Sequence, residues 1–122
     1  MREGQNKSKR KMMLPRMRVM WGKEIALGPG KVELLKHIHS SGSILRAAKA
    51  MNMSYMRAWK LLKTMESCFK MPLVHRSRGG RGGGNAQLTP AGEKALRLYE
   101  KMENECLNAT SQTWETLIRE LK

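Results

Sequence analysis

The sequence predicts a mainly α-helical fold that contains one small β-hairpin and ends in a long helix. Two observations predict this class. Apolar residues recur every three or four positions in the middle of the chain and again after residue 90, which is typical of amphipathic helices. Between these stretches, five of the eleven glycines lie within residues 79–84, and short segments typical of strands flank them. The length of 122 residues fits one domain with terminal extensions.

The first elements follow from polarity and from the positions of Gly and Pro. Residues 1–14 are basic and hold little that can pack, so we expect a disordered N-terminal arm. Residues 16–21 alternate charged and apolar side chains, which predicts a short strand with Met17 and Val19 on its inner face. Gly28-Pro29-Gly30 then interrupts the chain, and a helix follows. Its apolar stripe consists of Val32, Leu34, Leu35 and Ile38.

Two further helices follow in the middle of the chain. Ser41-Gly42 ends the first helix, and Ser43 is expected to cap a second helix over Ile44–Ala50. Ser54 is expected to cap a third helix that runs to about Phe69. The apolar positions of this third helix are Ala58, Leu61, Leu62 and Met65.

Residues 43–65 have the spacing of a helix-turn-helix. The motif needs a small residue where its two helices cross, and Ala48 stands there beside Ala47. Four positions later it needs a residue that tolerates a positive φ, and Asn52 is of the type most often found in that conformation after glycine. Helical hairpins in general can mimic parts of this pattern.

The second helix of the motif is predicted to be the recognition helix, which enters a major groove. We expect Arg57 to read guanine and Lys63 to contact a phosphate. Trp59 falls between the faces, and we expect it to pack with its indole N–H at the rim. The alternative is that these charges form only a solvated face. The residues of this element expected to contact DNA are Ser54, Tyr55, Met56, Arg57, Lys60 and Lys63.

The glycine-rich run predicts a flexible cationic loop, Gly79–Ala86, at the tip of a hairpin whose strand-like segments are Leu73–Arg76 and Gln87–Pro90. Glycine lets the backbone approach a ligand closely and turn at positive φ. Arginine supplies a planar donor fork for phosphates or guanine edges. A disordered glycine linker is the alternative, which the flanking strands disfavour. The hairpin residues expected to contact DNA are Arg76, Arg78, Gly79, Gly80, Arg81 and Gly82.

The order of these elements is that of a winged helix-turn-helix: a strand, three helices, two strands and a closing helix. Residues 15–89 are therefore interpreted as a DNA-binding domain whose wing is the glycine loop. Residues 90–122 are interpreted as a dimerisation helix.

Clear signals mark the start of the last helix. Thr89 is its predicted N-cap, and Pro90 stands at the first position, where a missing N–H costs nothing. We expect the helix to reach about Leu121, with the polar stretch 108–113 as the place where it would kink or stop. Its apolar stripe is wider than the rest of the domain can cover, so part of it is expected to pair with a second copy; the alternative is that it only closes the monomer's core. The expected dimer contacts are Leu98, Met102, Ala109 and Leu117, on a stripe that also holds Ala95 and Cys106.

The net charge is +14, and it is unevenly distributed. Residues 1–89 hold nineteen Lys and Arg against four Glu, whereas residues 90–122 hold five against six. A one-sided cationic field favours a polyanionic partner, usually nucleic acid and less often an anionic membrane. No window holds the eighteen apolar residues of a membrane span. The N-terminus lacks the apolar core of a secretory signal, so we expect a cytoplasmic location.

We expect no cofactor, no metal site and no enzymatic activity. His37 and His39 are two positions apart on a helix, so their side chains point to different faces. Cys68 and Cys106 have no CxxC partner. The chain has no Asp, which removes a Ser-His-Asp arrangement.

One set of residues carries a family resemblance: Ser41-Gly42-Ser43-Ile44, Ala47-Ala48, Met53-Ser54-Tyr55, Ala58-Trp59, Leu73-Val74, the glycine run 79–84, Leu88-Thr89 and Gly92. Together they resemble the N-terminal DNA-binding domain of the ModE family of molybdate-responsive regulators, and related helix-turn-helix domains occur in LysR-type regulators. The resemblance covers roughly residues 16–105. It implies a dimeric winged-helix DNA binder whose long last helix forms the dimer interface.

Three features depart from the family. ModE proteins continue into C-terminal molybdate-binding domains, whereas this sequence ends at Lys122, so we do not expect molybdate to bind this chain. Asn52 and Asn85 stand where the family more usually has glycine, and both tolerate the required backbone. Arg78 replaces a small polar residue and makes the wing more cationic.

Three classes of function remain open at this point. The first is a sequence-specific, dimeric transcription regulator of ModE-like type that lacks a molybdate-binding domain of its own. The second is a basic architectural or RNA-associated protein that binds nucleic acid without sequence choice. The third is an adaptor whose last helix recruits another protein.

Overall fold

The computed structural model describes residues 10–77 and 85–122. In chain order its elements are β1 (Val19–Trp21), β2 (Glu24–Leu27), α1 (Pro29–Ser41), α2 (Ile44–Ala50), α3 (Tyr55–Glu66), β3 (Val74–Ser77), β4 (Asn85–Leu88) and α4 (Pro90–Ile118). Arg16–Glu100 forms one compact unit, and Lys101–Lys122 belongs to a second, together with residues before Arg16. Among the described residues, no helix is long and apolar enough to cross a bilayer.

The N-terminal strand belongs to a hairpin that the sequence pattern did not reveal. β1 pairs antiparallel with β2, and Gly22 turns the chain between them at φ +60°. Met17 and Val19 pack partly buried against the core, as predicted, but β1 begins at Val19 rather than at residue 16, so Met17 precedes the strand. The second strand was missed because it is four residues long and does not alternate between apolar and polar side chains.

Helix α1 confirms its predicted apolar stripe. It begins at Pro29, which stands in the first turn of the helix, where a missing backbone N–H is tolerated. It ends at Gly42, which adopts the left-handed conformation at φ +72° and donates its N–H to the Ile38 carbonyl at 2.8 Å. Its buried residues are Val32, Leu34, Leu35 and Ile38.

Both predicted serine caps of the helix-turn-helix are present. The Ser43 Oγ accepts from the Arg46 N–H at 3.1 Å, and the Ser54 Oγ accepts from the Arg57 N–H at 3.1 Å. Asn52 has φ +57° and is the one non-glycine residue with positive φ in the described chain. These three features fix the start of α2, the turn and the start of α3.

Helix α3 ends at Glu66, three residues before the predicted end at Phe69. The N–H groups of Cys68 and Phe69 bond to the carbonyls of Met65 and Glu66, three residues back, at 3.0 and 3.2 Å. Such bonds form tight turns that close a helix rather than continue it. Phe69 still packs partly buried against the core, which explains why the apolar periodicity ran past the true end.

Strands β3 and β4 form the predicted hairpin, in register from Val74 opposite Leu88 to Ser77 opposite Asn85. Asn85 and Ala86 belong to β4, so the prediction that the loop extends to Ala86 is wrong. Ala86 is buried, and its N–H donates to the Gly42 carbonyl at 2.8 Å. That contact with the end of α1 keeps Ala86 in the strand. Residues 78–84 lie outside the described part of the chain.

The start of α4 is packed tightly against the segment before β3. The Thr89 Oγ1 accepts from the Gly92 N–H at 3.0 Å and donates to the Pro72 carbonyl at 2.6 Å, while the Thr89 N–H donates to the Leu73 carbonyl at 2.9 Å. A Cβ at Gly92 would lie 2.1 Å from the Leu73 oxygen. Only glycine fits this approach without a backbone shift.

Helix α4 runs without interruption to Ile118, so the polar stretch 108–113 neither stops nor breaks it. The hydroxyls there bond to carbonyls of the same helix: Thr110 Oγ1 to Cys106 at 2.7 Å and Ser111 Oγ to Asn108 at 3.0 Å. Because these hydroxyls bond to carbonyls of their own helix and do not stabilise a non-helical backbone there, the helix continues through this stretch.

The core lies among α1, α2, α3, β3, β4 and the first turns of α4. Its largest fully buried side chains are Leu34, Leu35, Ile38, Leu62, Met65, Leu73 and Tyr99. Tyr99, which sequence analysis passed over, donates its hydroxyl to the Met17 carbonyl at 2.8 Å. This bond ties the segment before β1 to α4 within the Arg16–Glu100 unit.

Candidate nucleic-acid interface

The turn of the helix-turn-helix holds α3 in place on α2. Ala47 and Ala48 are fully buried, and the Met53 N–H donates to the Ala48 carbonyl at 3.0 Å. Small side chains at this crossing let the two helices approach closely, as the predicted motif requires. The positive φ of Asn52 then redirects the chain into Ser54, the N-cap of α3.

Helix α3 has two different faces. Its inner face is fully buried at Ala58, Leu62 and Met65. All six residues predicted to contact DNA at this element are exposed, namely Ser54, Tyr55, Met56, Arg57, Lys60 and Lys63. Each of these side chains is therefore accessible to a ligand.

An open groove of about 370 Å³ lies along α3 from its N-cap to Thr64. It combines cationic groups, two hydroxyls and apolar groups, which are the side-chain types that read base edges and thymine methyls. Its lining residues are Ser54, Met56, Arg57, Lys60, Leu61 and Thr64.

The cations of this surface have no acidic partner in the part of the chain that the structure describes. Within the described residues the ion pairs are Lys36–Glu100 and Lys101–Glu105, and neither involves α3 or β3. Glu66 is the single acidic residue between Glu33 and Glu93 in the sequence. The outer face of α3 therefore keeps an uncompensated positive field that attracts an anionic ligand.

Glu66 has a structural role that sequence analysis did not assign. Its Oε2 accepts from the Leu73 N–H at 2.8 Å and from the Val74 N–H at 3.0 Å. These bonds join the last residue of α3 to the start of β3, so they set the position of the hairpin relative to the recognition helix. Its isolation among basic residues was the one signal in the sequence that pointed to a special role.

Trp59 connects the same two elements through its ring. The Cζ of Arg76, on β3, lies over this ring at 3.9 Å from its centroid, and the Nζ of Lys63 lies at 5.0 Å. Trp59 is half-buried, in keeping with the predicted packing role, but its ring also carries two cations. The sequence pattern gave no indication of this cluster, because Arg76 and Trp59 are seventeen positions apart.

The wing is described only at its base. Arg76 is exposed on β3. The other wing residues expected to contact DNA, Arg78, Gly79, Gly80, Arg81 and Gly82, lie outside the described residues.

The residues predicted to form a dimer contact lie on α4 and are accessible. Leu98 is 47% exposed, Met102 is 37% exposed and Leu117 is 55% exposed, and Ala109 is also exposed. Ala95, on the same predicted stripe, is instead buried in the core.

The described residues contain no group of three His, Cys, Asp or Glu side chains placed to hold a metal ion. The Cys68 and Cys106 thiols are unpaired with each other and half-buried.

Comparisons with known proteins agree with this geometry. Residues 30–93, just over half of the chain, match the family described as bacterial regulatory helix-turn-helix protein, lysR family. The chain is 40% identical over 92 residues to the molybdenum transport protein ModE of Azotobacter vinelandii, covering 75% of this chain and 34% of that protein. It is 43% identical over 72 residues to the DNA-binding transcriptional dual regulator ModE of Escherichia coli K12, covering 59% and 28%. It is 40% identical over 77 residues to the molybdenum-pterin-binding protein MopB of Rhodobacter capsulatus, covering 63% and 28%.

The chain thus spans about a third or less of the length of these relatives. Among solved structures, a LysR family transcriptional regulator superimposes with a TM-score of 0.51 at 19% identity, covering 68% of this chain and 27% of that one. This likeness, together with the helices and small antiparallel hairpins, confirms the predicted winged helix-turn-helix fold.

Proposed function

The chain belongs to the bacterial regulatory helix-turn-helix proteins of the lysR family, and from this premise we propose that it is a sequence-specific, double-stranded DNA-binding transcriptional regulator that acts as a homodimer. The observation that carries the proposal is the outer face of α3. It is exposed and cationic, it has no acidic partner among the described residues, and it projects from a helix-turn-helix whose turn has the required positive φ at Asn52. The relatives whose names describe a transcriptional regulator support it.

In the proposed complex, α3 lies in the major groove and the wing touches the minor groove or flanking phosphates. Arg57, in the first half of α3, reads a guanine through its two parallel donors. Lys60 and Lys63 lie farther along the helix and contact the phosphate backbone. The protein acts by binding rather than by catalysis, in the cytoplasm, where a bacterial chromosome lies.

The exposed apolar residues of α4 support the homodimer. Leu98, Met102 and Leu117 recur at helical spacing and are more than a third exposed, so the described part of one chain does not bury them. Pairing with the same helix of a second copy removes this apolar surface from water. The two recognition helices would then meet successive major grooves about 34–36 Å apart, on a nearly palindromic operator.

The proposal is tested by selection from a random duplex library at about 150 mM salt, where non-specific binding is suppressed. We expect enrichment of a pseudo-palindrome. Tight binding without an enriched motif, or equal affinity for RNA, supports instead the non-specific nucleic-acid protein. A protein complex that survives nuclease and high salt, with no duplex binding, supports the adaptor.

The Arg57→Ala variant tests which residue provides specificity. We expect it to weaken binding to the selected site by about tenfold to a hundredfold while it changes affinity for unrelated duplexes much less. Arg119→Ala, which removes the same charge from an exposed position near the C-terminus, is the matched control and should leave the preference intact. Equal losses on specific and unrelated duplexes would show that Arg57 contacts only phosphate.

A further inference from the structure

The cluster of Trp59, Arg76 and Lys63 brings two cations from different elements to one aromatic ring. The two groups lie 3.9 and 5.0 Å from the same centroid, so their separation cannot exceed the sum of these distances. Lys63 stands in the last turn of α3, and Arg76 stands in the middle of β3, next to the wing. The cluster therefore lies between the two elements that the proposed function places against DNA.

Among residues 10–77 and 85–122, no carboxylate neutralises the two cations. Glu66, three residues after Lys63 in the same helix, uses its Oε2 for the N–H groups of Leu73 and Val74. Neither Lys63 nor Arg76 takes part in an ion pair with any described residue. The ring offsets part of the repulsion between them by cation–π attraction, and two like charges within about 9 Å of each other favour an anion that reaches both.

The stacking leaves the donors of Arg76 available. A guanidinium against an aromatic face uses no N–H for that contact, so its planar fork remains free for an anion of matching geometry. The ring of Trp59 is at the same time covered by Arg76, which leaves that face closed to a stacked base. The cluster is thus suited to bind a tetrahedral anion rather than a nucleobase.

We propose that Trp59 positions Arg76 and Lys63 as a two-cation clamp that grips one phosphate of the DNA backbone. The clamp couples the recognition helix and β3 to the same phosphate and so sets the register of the domain on its site. This inference rests on the proposed function and adds a specific ligand group and a positioning residue, Trp59. The contact is independent of base sequence, because every nucleotide presents the same phosphate.

Salt dependence distinguishes one shared phosphate from two separate ones. Each neutralised phosphate contributes about −0.9 to the slope of log K against log salt. With a shared phosphate, Lys63→Ala and Arg76→Ala each lower affinity but leave the slope nearly unchanged, because the remaining cation still neutralises the phosphate. In the double variant the magnitude of the slope then falls by about 0.9 per protomer. The clamp would be overturned if the magnitude of the slope fell by about 0.9 per protomer in each single variant and by about 1.8 in the double variant.

A scan of the selected duplex with single neutral methylphosphonates locates the phosphate. We expect one position per half-site at which a methylphosphonate weakens binding of the unmodified protein. At that position the same methylphosphonate should cause a smaller loss of affinity in the Arg76→Ala and Lys63→Ala variants. Lys60→Ala, which removes an exposed cation of α3 that does not lie over the Trp59 ring, should keep full sensitivity at that position. If Arg76 and Lys63 map to different phosphates, the clamp is wrong.

Variants of Trp59 test its positioning role. Trp59→Leu removes the aromatic face and should lower affinity about threefold to tenfold, equally on specific and unrelated duplexes. Trp59→Phe retains an aromatic face and should keep most of the affinity and the methylphosphonate pattern, even if Trp59→Leu proves unstable. An unchanged pattern in a folded Trp59→Leu protein contradicts the positioning role. Absence of salt-dependent duplex binding by the unmodified protein would instead contradict the proposed function itself.

Discussion

Helices α3 and α4 are both amphipathic, but they expose opposite kinds of surface. α3 buries Ala58, Leu62 and Met65 within the Arg16–Glu100 unit and exposes cations together with Tyr55 and Met56. No carboxylate of the described residues pairs with these cations. Beyond Tyr99, α4 exposes apolar residues, including Met102 and Leu117, among charges of both signs. A cationic surface without acidic partners suits a polyanion, whereas an exposed apolar stripe suits another protein surface. The difference shows that the composition of the outer face, rather than the periodicity, indicates what a helix binds.

The largest effect is expected at the first turn of α4, because Gly92 there packs directly against the backbone of Leu73. Gly92→Ala places a Cβ 2.1 Å from the Leu73 oxygen, so the backbone must shift. We expect the free energy of unfolding to fall by about 3 kcal/mol, measured by urea denaturation.

The matched control for this variant is Gly30→Ala in α1. No atom lies within 4 Å of a Cβ at Gly30, so the same added methyl should leave stability unchanged or raise it by up to about 1 kcal/mol. Equal stability of the two variants would contradict the close approach at Gly92.

The next largest effect is expected at the exposed apolar stripe of α4, the feature that distinguishes the outer face of α4 from that of α3. The double variant Met102→Glu and Leu117→Glu puts two charges into the proposed dimer contact. We expect the dimer dissociation constant, measured by sedimentation, to rise about 100-fold or more, with binding to a single half-site retained.

A double variant on the opposite side of α4 serves as the control for the dimer contact. Asn104→Glu and Ser111→Glu add the same charge at exposed positions that helical spacing places away from the stripe. This control should remain dimeric. Dissociation of both double variants to the same degree would indicate a general charge effect instead of a specific interface.

A smaller effect is expected at the C-terminal end of α3, where its single acidic residue acts structurally. Glu66→Ala removes the acceptor of the Leu73 and Val74 N–H groups and should cost about 2 kcal/mol of stability. Glu66→Gln keeps a neutral acceptor and should cost about half as much, because bonds to a charged acceptor are roughly twice as strong.

Glu115→Ala, at an exposed position of α4, is the control for charge loss and should change thermal unfolding little. Equal stability of the Glu66→Ala and Glu115→Ala proteins would mean that the two bonds to β3 add nothing.

Much of the fold was predictable because its signals are local. Ser43 and Ser54 cap helices through bonds to N–H groups three residues away, and Asn52 adopts its positive φ from its own backbone preference. The buried stripe of α1 follows from spacing alone. The exposure of Tyr55, Met56, Arg57, Lys60 and Lys63 on α3 was predictable in the same way, since a helix with one buried face exposes the other.

The sequence by itself therefore determined the type and order of most elements, their buried faces and the fold class. It also determined the positive charge that favours a polyanionic partner. The tertiary structure alone decided the second strand, the true end of α3, the burial of Ala86 and the contacts among Glu66, Leu73 and Gly92. It also decided that Arg76 lies over the Trp59 ring. Apart from the second strand and the end of α3, which depend on shorter-range contacts, these features join residues 7 to 44 positions apart, from Glu66–Leu73 to Gly42–Ala86. Residue spacing does not encode which distant groups meet. Only the packing of the whole core brings them within bonding distance.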